Sequence, residues 1–155
     1  MRQWTKAGVA TAGVCALMAF SAGPAFADAT YHSSHYDLNG VGGARLRSGF
    51  VQNIHANGPN VYAHEQYVLN GAKPKTTYHV VLNIFPGDLT CSGAPAVSIP
   101  VATIRTNAAG NGAAYHVFIP MDADGLHGAT VGGIWTVSEG ASPDYRTGCE
   151  TIVLD

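Results

Sequence analysis

Two segments of one design, Thr77-Tyr78-His79-Val80-Val81-Leu82-Asn83-Ile84 and Ala113-Ala114-Tyr115-His116-Val117-Phe118-Ile119-Pro120, decide the fold class. Both carry Tyr-His-Val and are rich in aromatic and β-branched residues, which fit a pleated, half-buried surface; turn-forming residues bound both. Each is expected as a strand. Between them Val101-Ala102-Thr103-Ile104-Arg105-Thr106 runs into Asn107-Ala108-Ala109-Gly110-Asn111-Gly112. That turn chemistry predicts a hairpin pairing 97–106 with 112–119. Pro100 lacks the N–H a ladder needs, which puts it at an edge or a break.

The flanking chain alternates in the same way. Residues 47–55 set Phe50, Gln52 and Ile54 on one face and Val51 and Asn53 on the other. Asn57-Gly58-Pro59-Asn60 is a turn, and residues 61–69 then align Val61, Ala63, Glu65, Tyr67 and Leu69 before a second turn at Asn70-Gly71. Residues 129–138 group Val131, Gly133, Trp135 and Val137, and 147–154 form a closing strand. No stretch has helical periodicity. Seven or eight short antiparallel strands with regular turns predict an all-β sandwich.

The segment Ala72-Lys73-Pro74-Lys75-Thr76-Thr77-Tyr78-His79-Val80-Val81-Leu82 resembles the corner of fibronectin type III and related immunoglobulin-like domains. There a Pro-containing loop leads to a Tyr that begins a strand of alternating aliphatics. The resemblance implies a single Greek-key, immunoglobulin-like β-sandwich. The Tyr78 ring would fill the core, and its hydroxyl would tie the backbone of the preceding loop. In those domains the Tyr strand is nearly last, whereas here at least three further strands follow. The implication therefore stops at a Greek-key sandwich with a Tyr corner at Tyr78, without family membership or exact topology.

Residues 1–27 have the layout of a secretory signal peptide. Arg2 and Lys6 precede an apolar run over 7–20, and Ala25-Phe26-Ala27 predicts cleavage between Ala27 and Asp28. The run is shorter than the roughly 20 residues that span a bilayer. Cys15 lies mid-run behind Val14, which does not suit lipoprotein attachment. The Ala- and Gly-heavy leader resembles those of high-GC Gram-positive bacteria. Residues 28–44 are polar and Gly-rich and are expected as a flexible N-terminal arm. Residues 45–155 are expected as the β-sandwich domain.

Losing Arg2 and Lys6 leaves six bases against ten acids, a net charge of −4. Arg45/Arg47 and Lys73/Lys75 are isolated pairs, so binding to nucleic acid or anionic lipid has no electrostatic basis, and no membrane association is expected after leader removal. Two cysteines remain, Cys91 and Cys149. An even count in an exported chain, without C-x-x-C spacing, predicts one structural bridge.

Histidine is the unusual component: His32, His35, His55, His64, His79, His116 and His127. With the Tyr78 and Tyr115 strands side by side and both rings inward, His79 and His116 share the outward face. His32-x-x-His35 would then complete a Zn or Cu site. The competing expectation is plain surface histidines and no cofactor. Asp122-Ala123-Asp124-Gly125 starts like a calcium loop but lacks the third acid and the distal Glu. Asp88, Asp122, Asp124 and Glu139 all fall in expected loops, where a pair could serve hydrolysis, although no G-x-S-x-G elbow occurs. Trp135 is expected in the core, which leaves Tyr31, Tyr36, Tyr62 and Tyr145 as scattered surface candidates for sugar contact.

These observations lead to a small secreted non-enzymatic binding or surface-interaction module, monomeric, with an extracellular partner or ligand that the sequence does not identify. That inference rests on fold analogy. The alternatives are a His-based Zn/Cu-binding protein and an extracellular hydrolase of polysaccharide or wall material.

Overall fold

The computed structural model describes residues 31–56, 63–119, 125–126 and 128–154, with the backbone alone at 31, 32, 55 and 56. The expected leader, the expected turn at 57–60, Tyr62, Asp122, Asp124 and His127 lie outside the described residues.

Alternating side chains produce strands throughout, with no helix among the described residues. In chain order they are β1 Tyr31–Asp37, β2 Asn39–Gly40, β3 Ser48–Ala56, β4 Ala63–Asn70, β5 Thr77–Pro86, β6 Val97–Arg105, β7 Gly112–Val117, β8 Ala129–Ser138, β9 Tyr145–Arg146 and β10 Glu150–Leu154. β2 and β9 are only two residues long. The first sheet has the order β1-β3-β4-β7. The second runs β2-β9-β8-β5-β6, with β10 also on β8, and every pairing is antiparallel.

Each sheet buries one face. In the first, Val51, Tyr67 and Leu69 point inward; in the second, Tyr78, Val80, Leu82, Ile84, Val131, Trp135 and Val137 do. All join one core cluster. The chain changes sheet at Leu38, 5% exposed, whose N–H is held by the Gly49 carbonyl. It returns to the first sheet over 41–47, crosses to the second again at 71–76 and comes back at 106–111.

Three expectations are corrected here. Residues 112–119 do not pair with 97–106: β7 lies on β4 in the first sheet and β6 on β5 in the second. The Asn107–Gly110 turn is real, with the Asn107 Oδ1 accepting from the Ala109 and Asn111 N–H groups, but it carries the chain between sheets. Turn chemistry fixes local reversal, not which neighbour the outgoing strand finds. Secondly, residues 31–37 and 39–40, within the segment 28–44 expected as a flexible arm, are placed in paired strands. β1 pairs with β3 over seven residues, and the Tyr36 ring stacks on Trp135 at 5.1 Å. One well-placed aromatic and a polar outer ladder suffice to seat an edge strand of low hydrophobicity. Thirdly, Tyr78 is buried as expected, but its hydroxyl meets that of Tyr145 at 3.3 Å, and it is Tyr145 that donates to the Arg45 carbonyl at 3.1 Å.

Pro100 does stand on an edge strand, opposite a register shift at Val80/Val81. Cys91 and Cys149 form the expected disulfide, with Cα atoms 5.7 Å apart. It ties the β5–β6 loop to the chain before β10, both belonging to the second sheet. No helix among the described residues is long and apolar enough to cross a membrane.

Candidate functional site

The histidines are dispersed by the sheet assignment. β5 and β7 belong to different sheets, Tyr78 points in and Tyr115 points out with 74% exposure, so His79 and His116 share no face. His79 is exposed on the outside of the second sheet. His116 is half-buried in phase with Ala114 and Phe118, its ring edge-on to Phe118 at 4.6 Å. His35 lies on the outer face of the first sheet in a polar ladder. Its Nδ1 is 3.1 Å from Gln52 Oε1, its Nε2 3.3 Å from Asp37 Oδ1, and the Gln52 amide donates to the Ser33 hydroxyl. Both His35 nitrogens thus face oxygen acceptors. For His32 only the strand position is described: it is the register partner of His55. Among the described residues, no three His, Cys, Asp or Glu gather as a metal site.

The least expected group is Glu65. Alternation puts it in phase with Tyr67 and Leu69, so β4 carries a carboxyl, 1% exposed, into the core. Three donors converge on it: Asn53 Nδ2 at 2.6 Å and the Tyr67 hydroxyl at 2.5 Å from its own sheet, and Trp135 Nε1 at 2.8 Å from the opposite one. Burial raises its pKa from 4.5 to about 7, with the three hydrogen bonds opposing that rise. The same burial, then the Glu65 charge, pushes the Tyr67 hydroxyl far up. This group clamps the two layers together. Among the described residues it is enclosed by core.

The loop acids separate. Asp88 accepts from the Thr90, Ser92 and Gly93 N–H groups and from the hydroxyls of Thr90 and Ser92, which holds its carboxyl well below the usual range. Pro86 pairs with Val131 and His79 with Ser138, so the Asp88 loop and Glu139 lie at opposite ends of β8, roughly 20 Å apart at strand rise. Trp135 is in the core as expected, but Tyr145, expected at the surface, is 2% exposed because it lies under the 41–47 segment. On the outer face of the first sheet, Ile54, His64, Gln66 and the exposed Tyr115 line a shallow groove of about 210 Å³.

The larger concavity, about 380 Å³, is at the Glu139 end of the sandwich, where three loops meet. Ala44 and Arg45 form one wall, Gly71, Ala72 and Lys73 a second, Glu139 and Asp144 a third, with Tyr78 and Tyr145 beneath. These walls are fixed by backbone hydrogen bonds. Val41 donates to the Asp144 carbonyl, Ala72 to that of Gly110 and Arg47 to that of Asn70, while Asp144 Oδ2 accepts from the Glu139 N–H. Lys73 Nζ is 2.8 Å from both Glu139 oxygens, and that contact, then the Glu139 charge, raises the Lys73 pKa. Arg45 has no ion pair or hydrogen bond for its guanidinium among the described residues.

Compared with known proteins, the chain matches no family model, no curated protein and no solved structure. Of the cleft residues, the sequence marked Tyr78 as a corner tyrosine, Arg45 and Lys73 as members of isolated basic pairs, Glu139 as a loop acid and Tyr145 as a surface aromatic, none of them as parts of one site. The convergence of Arg45, Lys73 and Asp144 depends on sheet crossings that no local pattern encodes. Glu65 did carry a signal, a charged residue in phase with Tyr67 and Leu69.

Proposed function

We propose that this chain is a small secreted, non-enzymatic binding module that takes a small polar ligand in the loop-end cleft. The observation behind this reading is the cleft itself: about 380 Å³ of open space, walled by loops whose backbones are already hydrogen-bonded, with charged groups at the rim. A pre-formed concavity loses little conformational freedom on binding, and its volume lies in the range used for small ligands. The leader pattern and the single bridge support export. The Greek-key, immunoglobulin-like description is supported by β4 pairing with β7 in one sheet while the intervening β5 and β6 pair in the other. No observation of this kind favours the metal reading. The hydrolase alternative retains two carboxylates in one cleft, Glu139 and Asp144, yet the first faces Lys73 and the second accepts a backbone N–H.

The test is chemical-shift mapping of the purified, disulfide-bonded protein against a panel of small carboxylic acids, amines, amino acids, peptides and sugars. Saturable shifts are expected at 44–45, 71–73 and 139–145, with the panel unchanged by mass spectrometry. Shifts scattered over both outer faces, or none, would remove the reading. Turnover of any panel member would replace it with the hydrolytic one.

A further inference from the structure

We infer that the loop-end cleft selects a small zwitterion of amino-acid to dipeptide size, its carboxylate held by Arg45 and its ammonium by Asp144. This rests on the binding reading above and specifies its ligand class.

The argument is one of charge complementarity. Four ionisable side chains other than the tyrosines line the cleft, two of each sign, so a ligand with a large net charge of either sign meets repulsion there. Lys73 and Glu139 largely neutralise one another through a contact made by both carboxylate oxygens. Asp144 Oδ2 accepts from the Glu139 N–H, and its Oδ1 has no partner among the described residues. Arg45 is uncommitted. Arg45 and Asp144, of opposite sign and each with unused hydrogen-bonding capacity, therefore line the same small space. A simple anion would satisfy Arg45 but sit against Asp144, and a simple cation would do the reverse. A neutral polyol would desolvate both charges without pairing either, which is costly. A ligand carrying both charges satisfies both groups, and a guanidinium receives a carboxylate through two parallel N–H donors. The phenols do not compete, because the Tyr78 and Tyr145 hydroxyls meet each other and Tyr145 donates to the Arg45 carbonyl. That last bond also fixes the Arg45 backbone, so the guanidinium extends from an anchored stem.

The experiment uses the purified, disulfide-bonded protein with four probes: alanylalanine, its N-acetylated form, its C-terminal amide and glucose. Affinity is read by titration calorimetry and location by amide shifts. Alanylalanine is expected to shift 44–45, 71–73 and 139–145 and saturate, with each blocked form at least about tenfold weaker, as loss of a charge-assisted contact predicts. Arg45→Met should abolish the preference for the free carboxylate while keeping that for the free ammonium, and Asp144→Asn should do the opposite. Near-UV circular dichroism of the Trp135 band shows that each variant is folded. Equal affinity for a blocked form, or tighter binding of glucose at the same residues, overturns the zwitterion inference and leaves the binding reading intact. So does failure of all four probes when another member of the wider panel shifts the cleft. If no small polar molecule shifts the cleft, both are overturned.

Discussion

Glu65 stands where alternation demands an apolar side chain, and the stability of the fold should register that through pH. Its folded-state pKa is raised from 4.5 to about 7, chiefly by burial, so the folded chain holds this proton more tightly than the unfolded one. The resulting stabilisation is fully present below about pH 4.5, declines as pH rises through 7 and levels off above. A shift of that size corresponds to about 3 kcal/mol as an upper figure. Asp88 acts in the other direction, its depressed pKa giving stability that is lost on acidification, but only below its ordinary value of 3.8. The two windows do not overlap. Denaturant midpoints should therefore be higher at pH 5 than at pH 8, and Glu65→Gln should flatten the difference; an unchanged slope in that variant would contradict the assignment. Gln can still accept from Tyr67 and Trp135, and turning the Asn53 amide would bring its Oδ1, which lacks a partner, to the new amide N–H. Glu65→Leu has no such remedy. It leaves three buried donors without an acceptor, at about 1–3 kcal/mol each.

At the scale of elements, close approach matters more than turn propensity. Gly110 has φ +76°, and a Cβ there would lie 2.0 Å from the Ala72 carbonyl oxygen. Gly87 has nearly the same backbone, φ +73°, with nothing within 4 Å. Replacing either by Ala carries the left-handed cost of about 1–2 kcal/mol. Only Gly110→Ala must also displace the 71–76 crossing, whose Ala72 N–H bonds the Gly110 carbonyl. Urea unfolding should thus find Gly110→Ala less stable than Gly87→Ala by at least about 1 kcal/mol, within the range for overpacking. Equal losses would mean that the crossing is not pinned there. This contact also explains what the sequence could and could not convey. Residues 77–84 and 129–138 were legible as strands because β-branched alternation is a local property. The Asn107–Gly110 reversal was legible for the same reason. That β7 leaves it to pair with β4 and not with β6 depends on packing between residues distant in the chain. β1 was illegible because one stacked tyrosine and an outer Ser33–Gln52–His35 ladder hold it, not a run of aliphatics.

For the molecule as a whole, the decisive question is whether the bridge or the core holds the layers together. Cys91 and Cys149 both lie in loops of the second sheet, so the disulfide does not join the two layers. Their union comes from the shared apolar cluster, the Tyr36–Trp135 stack and the hydrogen bond from Trp135 to Glu65. Closing a loop with a sequence separation of 58 residues stabilises by about 4 kcal/mol on the chain-entropy account. A domain of ordinary stability, about 5–15 kcal/mol, keeps a folded majority after that loss. The double variant Cys91→Ser/Cys149→Ser should accordingly unfold at lower denaturant by up to about 4 kcal/mol. It should still show the near-UV signal of packed Trp135 in water at 25 °C. The 87–96 loop retains the Asp88 hydrogen bonds and the Ala96 N–H to Ile84 carbonyl bond, so faster hydrogen exchange should be confined to that loop and to 147–149. Loss of the Trp135 signal without denaturant would mean that the layers depend on the sulfurs after all. Exchange spreading into β5 and β8 would instead show the second sheet opening as a unit once its corner is released.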